Sequence, residues 1–180
     1  MFGKEWVYSV IPNMGGKSGL TGQLEIYANG HLDALNSKNR GNLVGYGTAP
    51  EGLENNEVIY ELICDAGWHT DSIDVSEWLR NYSLCRYGKV TNEVMSFWEG
   101  MQASVYGSFT DHPRYNWQFR PGTVRQGSIN ANEAFYQGID ALAQAIPEMK
   151  HSPLFKIDMI EMTVHYLGGK IDHLTQAIEQ

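Results

Sequence analysis

One glutamate in this chain lies in a turn where its carboxylate could take part in catalysis. Glu51 lies between Pro50 and Gly52, in a turn that follows the short apolar run 43–48. If that run is a strand, Glu51 lies at its C-terminal mouth, where barrel enzymes place catalytic groups. Hydrolysis of a glycosidic bond usually takes two carboxylates, and this chain offers one in such a position. The structural alternative is a carboxylate that caps the helix starting near Asn55.

Other patterns that carry chemistry are incomplete in this sequence. Residues 15–18 (Gly-Gly-Lys-Ser) resemble the end of a phosphate-binding loop, but the glycine required five residues before Gly16 is Ile11. The six histidines form no HExxH pair, and no CxxC pair is present. Cys64 and Cys85 fall in predicted helices and are expected to be buried free thiols. We therefore predict neither a metal site nor a bound cofactor.

Size and charge limit the classes of function. A chain of 180 residues can form one large or two small domains. The formal net charge of −8 argues against nucleic acid and anionic membranes as partners. No apolar run is long enough to span a membrane, and no signal peptide is visible. The 5 Trp, 10 Tyr and 6 Phe are expected mainly to fill the core, although aromatic faces also stack on sugar rings.

The first third of the chain alternates strand and helix patterns, which predicts a parallel α/β sheet or barrel. Since the first strand starts almost at Met1, we expect the chain to be part of a longer protein. The predicted elements are a strand at 5–11 ended by Pro12, a helical stretch at 20–35 interrupted at Asn29-Gly30, a strand at 43–48, and a helix at 55–67.

The rest of the chain has helical periodicity and predicts an all-helical part. Its helices are expected at 74–88, 91–106, 132–146 and from 153 onward, with an irregular segment at 107–129. Asp74 is a predicted N-cap and Gly88 a predicted end. In the last helix we expect the apolar stripe Ile157, Ile160, Val164 and Leu167 to face the core, and Gly168-Gly169 to break the helix.

The motifs along the chain resemble one enzyme family, the alpha-N-acetylglucosaminidases of glycoside hydrolase family 89. The resemblance covers nearly the whole chain, in order and at consistent spacing. It rests on Asn13-Met14-Gly15-Gly16, Val44-Gly45-x-Gly47-x-Ala49-Pro50-Glu51-Gly52, Asn56-Glu57-Val58-x-Tyr60, Gly67-Trp68, Asp74, Trp78, Arg86-Tyr87-Gly88, Trp98, Arg120-Pro121 and Ser152-Pro153.

The resemblance implies a fold that is mainly α with a small α/β part. Residues 1–70 would be the last two strand–helix units of a (β/α)8 TIM-barrel catalytic domain. Residues 71–180 would be an incomplete α-helical C-terminal domain. The implied activity is removal of terminal alpha-linked N-acetylglucosamine from glycans, with retention, through a covalent glycosyl-enzyme. A full-length parent like its family would be secreted, periplasmic or lysosomal.

The resemblance also implies roles for individual residues. Glu51 matches the nucleophile, and Asn13, Trp98 and Tyr8 would line the sugar site. Arg86 matches an arginine at the domain junction, for which a structural role is expected. The acid/base glutamate of the family lies on an earlier barrel strand, so we expect the isolated chain to be inactive. One departure is the run 129–131 (Ile-Asn-Ala), where other members carry a Trp-Tyr pair, which affects part of the sugar pocket.

A second hypothesis is that the chain binds a ligand and does not catalyse a reaction. The chain would then be a stand-alone helical module that binds carbohydrate or a partner protein through exposed aromatic side chains. Self-association is expected under the enzyme hypothesis, because an exposed barrel edge leaves strand surface uncovered.

Overall fold

Over the residues that the structure describes, the protein is mostly helical, with one two-stranded sheet. The computed structural model describes residues 3–13, 20, 22–52, 57–107, 115–118, 129 and 131–178. Its elements are β1 (Glu5–Val10), α1 (Leu24–Asn36), β2 (Asn42–Thr48), α2 (Glu57–Ala66), α3 (Val75–Tyr87), α4 (Asn92–Gln102), a short 3-10 helix (Asn116–Gln118), α5 (Glu133–Gln144), α6 (Ile146–Met149) and α7 (Pro153–Ile178).

The two strands are parallel neighbours joined by the crossover helix α1. Their register runs from Glu5 opposite Asn42 to Val10 opposite Thr48, with one irregularity after Trp6. Both strands therefore end at the same edge, called here the carboxyl edge. The predicted strand–helix–strand order is confirmed.

The sheet is covered on one face. Tyr8 and Tyr46 stack with ring centroids 5.8 Å apart, and the Tyr46 ring meets His31 of α1 edge-on. On the other face Val7 and Val44 are exposed.

The predicted break at Asn29-Gly30 is wrong, since α1 is one continuous helix. The Asn29 amide is bonded outside the helix, donating to the carbonyl of Ile73 (3.1 Å) and accepting from its N–H (2.8 Å). At Gly30 a Cβ atom would lie 2.7 Å from the Tyr8 hydroxyl oxygen. Asn29 and Gly30 therefore contact other elements and do not end α1.

The predicted boundaries of α3 are confirmed. The Asp74 side chain accepts a hydrogen bond from the Glu77 N–H (3.0 Å). At the other end Gly88 has the left-handed φ of 81° and donates its N–H to the Leu84 carbonyl (2.8 Å). Thr91 caps α4 in the same manner as Asp74 caps α3.

Helices α4 and α5 approach each other closely through two glycines. A Cβ atom at Gly100 would lie 2.6 Å from the carbonyl oxygen of Ala134 and 2.8 Å from the Cα of Gly138. Backbone therefore packs directly on backbone at this crossing. Around it lies the helical core, whose largest fully buried side chains include Phe135, Leu142, Met101 and Leu79.

The predictions for α7 need two corrections. The helix runs through Gly168-Gly169 without a break, because the rings of Tyr115 and Tyr136 pack on these glycines. The stripe expected in the core is exposed, and the buried face carries Phe155 and Met162. An apolar stripe shows that a helix face is suited to burial, but not which element covers it.

The prediction that the two cysteines are free is confirmed, but the prediction that they are buried is wrong. Cys64 and Cys85 are free thiols, and both are exposed. Within the described part of the chain, no helix is long and apolar enough to cross a membrane. The phosphate-loop-like residues 15–18 lie outside the described residues, as does most of the segment 107–129.

Candidate active site

Glu51 and Asn13 come together at the carboxyl edge of the sheet. Each follows the end of its strand by three residues, and the parallel register places the two loops side by side. The Asn13 carbonyl accepts a hydrogen bond from the Glu51 N–H (3.3 Å). Nearer the strands, the Val10 carbonyl accepts one from the Ala49 N–H (2.9 Å). The ladder between the strands thus continues into the loop that carries Glu51.

The Asn13 side chain holds the same loop. Its Oδ1 accepts a hydrogen bond from the Gly52 N–H at 3.1 Å, and the residue is only 3% exposed. Glu51 itself is exposed. The sequence predicted that Asn13 contacts the sugar. In the structure its described hydrogen bonds are to the backbone N–H groups of Glu51 and Gly52.

Tyr8 lies on the helix-covered face of the sheet, within β1. Its ring stacks on Tyr46, and its hydroxyl lies against Gly30 of α1. Burial raises the pKa of Tyr8, and Asp33 adds to the shift. The structure therefore places Tyr8 between sheet and helix, away from the loops that carry Glu51 and Asn13.

Trp98 is a core residue of the helical part. It is 4% exposed, and its indole N–H donates to the Ser83 hydroxyl at 2.7 Å. Its ring packs on Phe97 (4.6 Å between centroids) and edge-on against Tyr82 (5.7 Å). One side of the ring borders a small cavity of about 30 Å³ between α2 and the helical part.

Carboxyl groups line this cavity on two helices. Glu57 comes from α2, and Asp158 and Glu161 come from α7. Burial raises the pKa of Glu161 to about 7, helped by the nearby charges of Glu57 and Asp158 and opposed by Arg86. Glu161 is therefore a carboxyl group that binds a proton close to neutral pH.

Arg86, for which the family resemblance implied a structural role at the domain junction, forms an ion pair within the helical part. Its guanidinium donates two hydrogen bonds to the Asp158 carboxylate, each 2.6 Å long. The Tyr87 hydroxyl donates to the same carboxylate at 2.8 Å. Both side chains of the ion pair are mostly buried. The bond to Asp158 raises the pKa of Arg86, so this charge persists and joins α3 to α7.

Sequence reasoning missed Asp158, Glu161 and Ser83. The two acidic residues are three positions apart on α7 and line the cavity together with Met162 of the buried face. Assigning the inner face to the stripe placed them in solvent. In the described parts of the chain no cluster of three or more His, Cys, Asp or Glu side chains is arranged to hold a metal.

Two family models match this chain. Residues 1–70 match the tim-barrel domain of alpha-N-acetylglucosaminidase (NAGLU). Residues 78–180 match the C-terminal domain of the same enzyme family. Human alpha-N-acetylglucosaminidase is 30% identical over 167 residues, which are 89% of this chain and 22% of the human protein.

The fold resembles solved structures of the family 89 glycoside hydrolase from Clostridium perfringens. For its complex with 2-acetamido-1,2-dideoxynojirmycin the TM-score is 0.83 at 26% identity, covering 95% of this chain and 20% of that chain. For its complex with PUGNAc the TM-score is 0.79 at 26% identity, covering 92% and 20%.

The matches to both parts of the chain place it among the glycoside hydrolases. It belongs to the alpha-N-acetylglucosaminidase family. The chain spans about a fifth of the length of the relatives it matches.

Proposed function

We propose that this chain contributes the nucleophile to a retaining exo-glycosidase that removes terminal alpha-linked N-acetylglucosamine. The main observation behind the proposal is that Asn13 is hydrogen-bonded to the backbone of the Glu51 loop, at the carboxyl edge of two parallel strands. This is the edge at which barrel enzymes carry their catalytic groups. The family membership and the ligands of the Clostridium perfringens hydrolase, 2-acetamido-1,2-dideoxynojirmycin and PUGNAc, support the sugar.

In this proposal residues 1–70 form the last two strand–helix units of a barrel, and residues 71–180 begin a helical domain. The parallel pair β1–β2 with its covered and uncovered faces supports the first assignment. Two parallel strands are marginal alone, and closing a barrel takes further strands. The remaining strands and the acid/base glutamate would come from outside these 180 residues.

The proposed reaction has two steps. The Glu51 carboxylate forms a bond to the anomeric carbon while the bond to the leaving oxygen breaks, and the acid residue gives that oxygen its proton. Water then attacks the same carbon, the acid residue takes the proton back, and Glu51 leaves as a carboxylate. The two inversions together give retention. Asn13 would keep the Glu51 loop at a fixed distance from the sugar.

The test uses an enzyme that supplies the rest of the barrel. The matching fifth of the Clostridium perfringens hydrolase is replaced by this chain, and hydrolysis of an aryl alpha-N-acetylglucosaminide is measured. In an active chimaera, Glu51→Gln is expected to lower kcat by at least about 1000-fold, since losses of that size or more follow removal of a nucleophile. Glu77→Gln, an exposed glutamate on α3, is the matched control and should leave kcat unchanged.

Azide tests the nucleophilic role directly. With Glu51→Ala in the chimaera, azide can enter the space left by the carboxylate and attack the anomeric carbon from the same face. The expected product is the beta-configured glycosyl azide. An active chimaera whose kcat survives Glu51→Gln, or an alpha-configured azide product, would overturn the assignment of Glu51.

A further inference from the structure

A small cavity lies between the start of α2 and the helix α7. Its volume is about 30 Å³. From residues 1–70, Glu57 and Val58 of α2 line it. From the helical part, Trp98 and Glu161 do so. The cavity therefore lies at the junction between the two parts of the chain that match separate family models.

Three carboxyl groups of described residues line this cavity, and one of them is already paired. Asp158 accepts both side-chain hydrogen bonds that the structure describes for Arg86, each 2.6 Å long. Its carboxylate also accepts one from the Tyr87 hydroxyl. Glu57 on α2 and Glu161 on α7 are therefore the two carboxyl groups of the cavity whose charge this ion pair does not balance.

The surroundings of the two glutamates favour a proton on one of them. Glu57 is in the first turn of α2, where the helix dipole favours a negative charge. Glu161 lies on α7 with a side chain that is 33% exposed. Burial raises the pKa of Glu161 to about 7, and the charge of Glu57 is the next cause. Below pH 7 the proton is therefore held on the α7 side of the junction.

Other titratable or charged groups surround Glu161 on α2, on α3, after α4 and on α7 itself. They are Glu57, Tyr82, Arg86, Tyr87, Tyr106, Asp158 and His165. Burial raises the pKa of each of the three tyrosines and lowers that of His165 to about 4. These four groups therefore stay neutral while Glu161 titrates. Ionisation of Glu161 then adds a second unbalanced carboxylate to the cavity that Glu57 lines.

We propose that Glu57 and Glu161 form a pH-sensitive junction, which holds the first turn of α2 beside α7 while Glu161 is protonated and releases it when both glutamates are ionised. Protonated Glu161 carries an O–H donor, and the Glu57 carboxyl group lines the same cavity from the other helix. Without the proton, two like charges share one small cavity, and moving the first turn of α2 toward water relieves their repulsion. The junction does not depend on the catalytic role of Glu51.

Release of this turn should increase as the pH rises. The held state keeps a proton that the released state gives up. Its advantage is therefore full below the ordinary pKa of 4.5 and is lost as the pH rises through about 7. Between these values each pH unit is expected to favour release by up to about tenfold.

The test is amide hydrogen exchange of the 180-residue chain at pH 5, 6 and 7, corrected for the intrinsic exchange rate at each pH. The amides of residues 61–64 donate to the carbonyls of the first turn of α2, so they report whether that turn is formed. Their protection factors are expected to fall by about 10- to 100-fold between pH 5 and 7. At pH 7 low concentrations of urea should not change their exchange, because only one turn opens, whereas urea should accelerate exchange in α5.

Substitutions identify the two members of the junction. Glu161→Gln keeps the shape of the side chain and removes its titration, so protection of residues 61–64 should no longer fall with pH. Glu57→Gln removes the charge on α2. It should reduce the fall at least about threefold without abolishing it, since burial of Glu161 still disfavours its ionisation. Glu77→Gln, an exposed glutamate on α3, is the control and should behave as the wild type.

Three results would overturn this junction. The first is constant protection of residues 61–64 in the wild type from pH 5 to 7. The second is an equal fall in the wild type and Glu57→Gln, because the charge on α2 would then not contribute. The third is exchange at residues 61–64 that follows the amides of α5 in both pH and urea, since that is unfolding of the whole chain.

Discussion

At the scale of single residues, the buried amide of Asn13 links the loops that follow the two strands. We expect Asn13→Ala to lower the free energy of unfolding by about 1–3 kcal/mol, because the Gly52 N–H would lose its acceptor in a partly buried place. The measurement is urea denaturation of the 180-residue chain. In an active chimaera the same variant should also lower kcat, since the Glu51 backbone would be less constrained.

Thr48→Val provides the comparison for Asn13. It removes a side-chain hydrogen bond at the same edge, from Oγ1 to the Val10 carbonyl (3.3 Å), but in an exposed position. Water can replace that bond, so the change in unfolding free energy should stay within about 0.5 kcal/mol. If Asn13→Ala and Thr48→Val lowered the free energy of unfolding equally, burial would not explain the effect of Asn13→Ala.

Glu161 should make stability depend on pH. Burial and the charges of Glu57 and Asp158 raise its pKa to about 7, from an ordinary value of 4.5. The native state therefore holds a proton that the unfolded chain has released. This contribution is fully present below about pH 4.5 and is lost as the pH rises through 7. The urea midpoint of the wild type should fall, relative to that of Glu161→Gln, between pH 5 and 8.

The reference variant is needed because His165 acts in the opposite direction. Burial lowers its pKa to about 4, so stability is lost as the pH falls below about 6.5. His165 is present in both the wild type and the Glu161→Gln variant. Its Nε2 lies 4.0 Å from a Glu161 oxygen in the wild type. A difference between the wild type and Glu161→Gln that does not change with pH would contradict the raised pKa of Glu161.

At the scale of elements, the contact between β1 and α1 depends on Gly30. Alanine favours a helix over glycine by about 1 kcal/mol, yet Gly30→Ala is expected to destabilise the protein by about 1–3 kcal/mol. The added methyl group would lie 2.7 Å from the Tyr8 hydroxyl oxygen. Thermal or urea unfolding of the single variant measures this cost.

The Tyr8→Phe background identifies the cause of that cost. Without the hydroxyl, the nearest side-chain atoms to the new methyl group are Cγ2 of Ile26 at 3.5 Å and Cζ of residue 8 at 3.9 Å, which are ordinary contacts. Gly30→Ala should then be neutral or stabilising. If Gly30→Ala still lowers the free energy of unfolding in the Tyr8→Phe background, contact with the hydroxyl is not the cause.

For the molecule as a whole, the proposal places one half of a catalytic pair at the carboxyl edge. The proposed acid lies outside the chain, and protonation of the leaving group alone is typically worth ~10²–10⁴ in rate. We therefore expect the purified 180-residue chain to hydrolyse an aryl alpha-N-acetylglucosaminide no faster than its own Glu51→Gln variant. Glu51-dependent turnover by the isolated chain would show that it contains its own acid.

Much of the local structure was predictable from the sequence alone. Capping residues and strand patterns depend on near neighbours, so the bounds of α3 and the βαβ order were predictable from residues such as Asp74 and Gly88. The ordered motifs from Asn13 to Ser152-Pro153 were sufficient to name the family. The assignment of Glu51 as nucleophile, of Asn13, Trp98 and Tyr8 as sugar contacts, and of residues 1–70 as the end of a barrel remain predictions.

Which surfaces contact each other became known from the three-dimensional structure. Periodicity identified one apolar stripe on α7, whereas the core took the face with Phe155 and Met162, beside which Arg86 bonds the mostly buried Asp158 carboxylate. Likewise Gly30 and Gly168 carry close ring contacts, although glycine in sequence suggests a break. Such choices depend on side chains distant in the chain, whose shape and charge a local pattern does not contain.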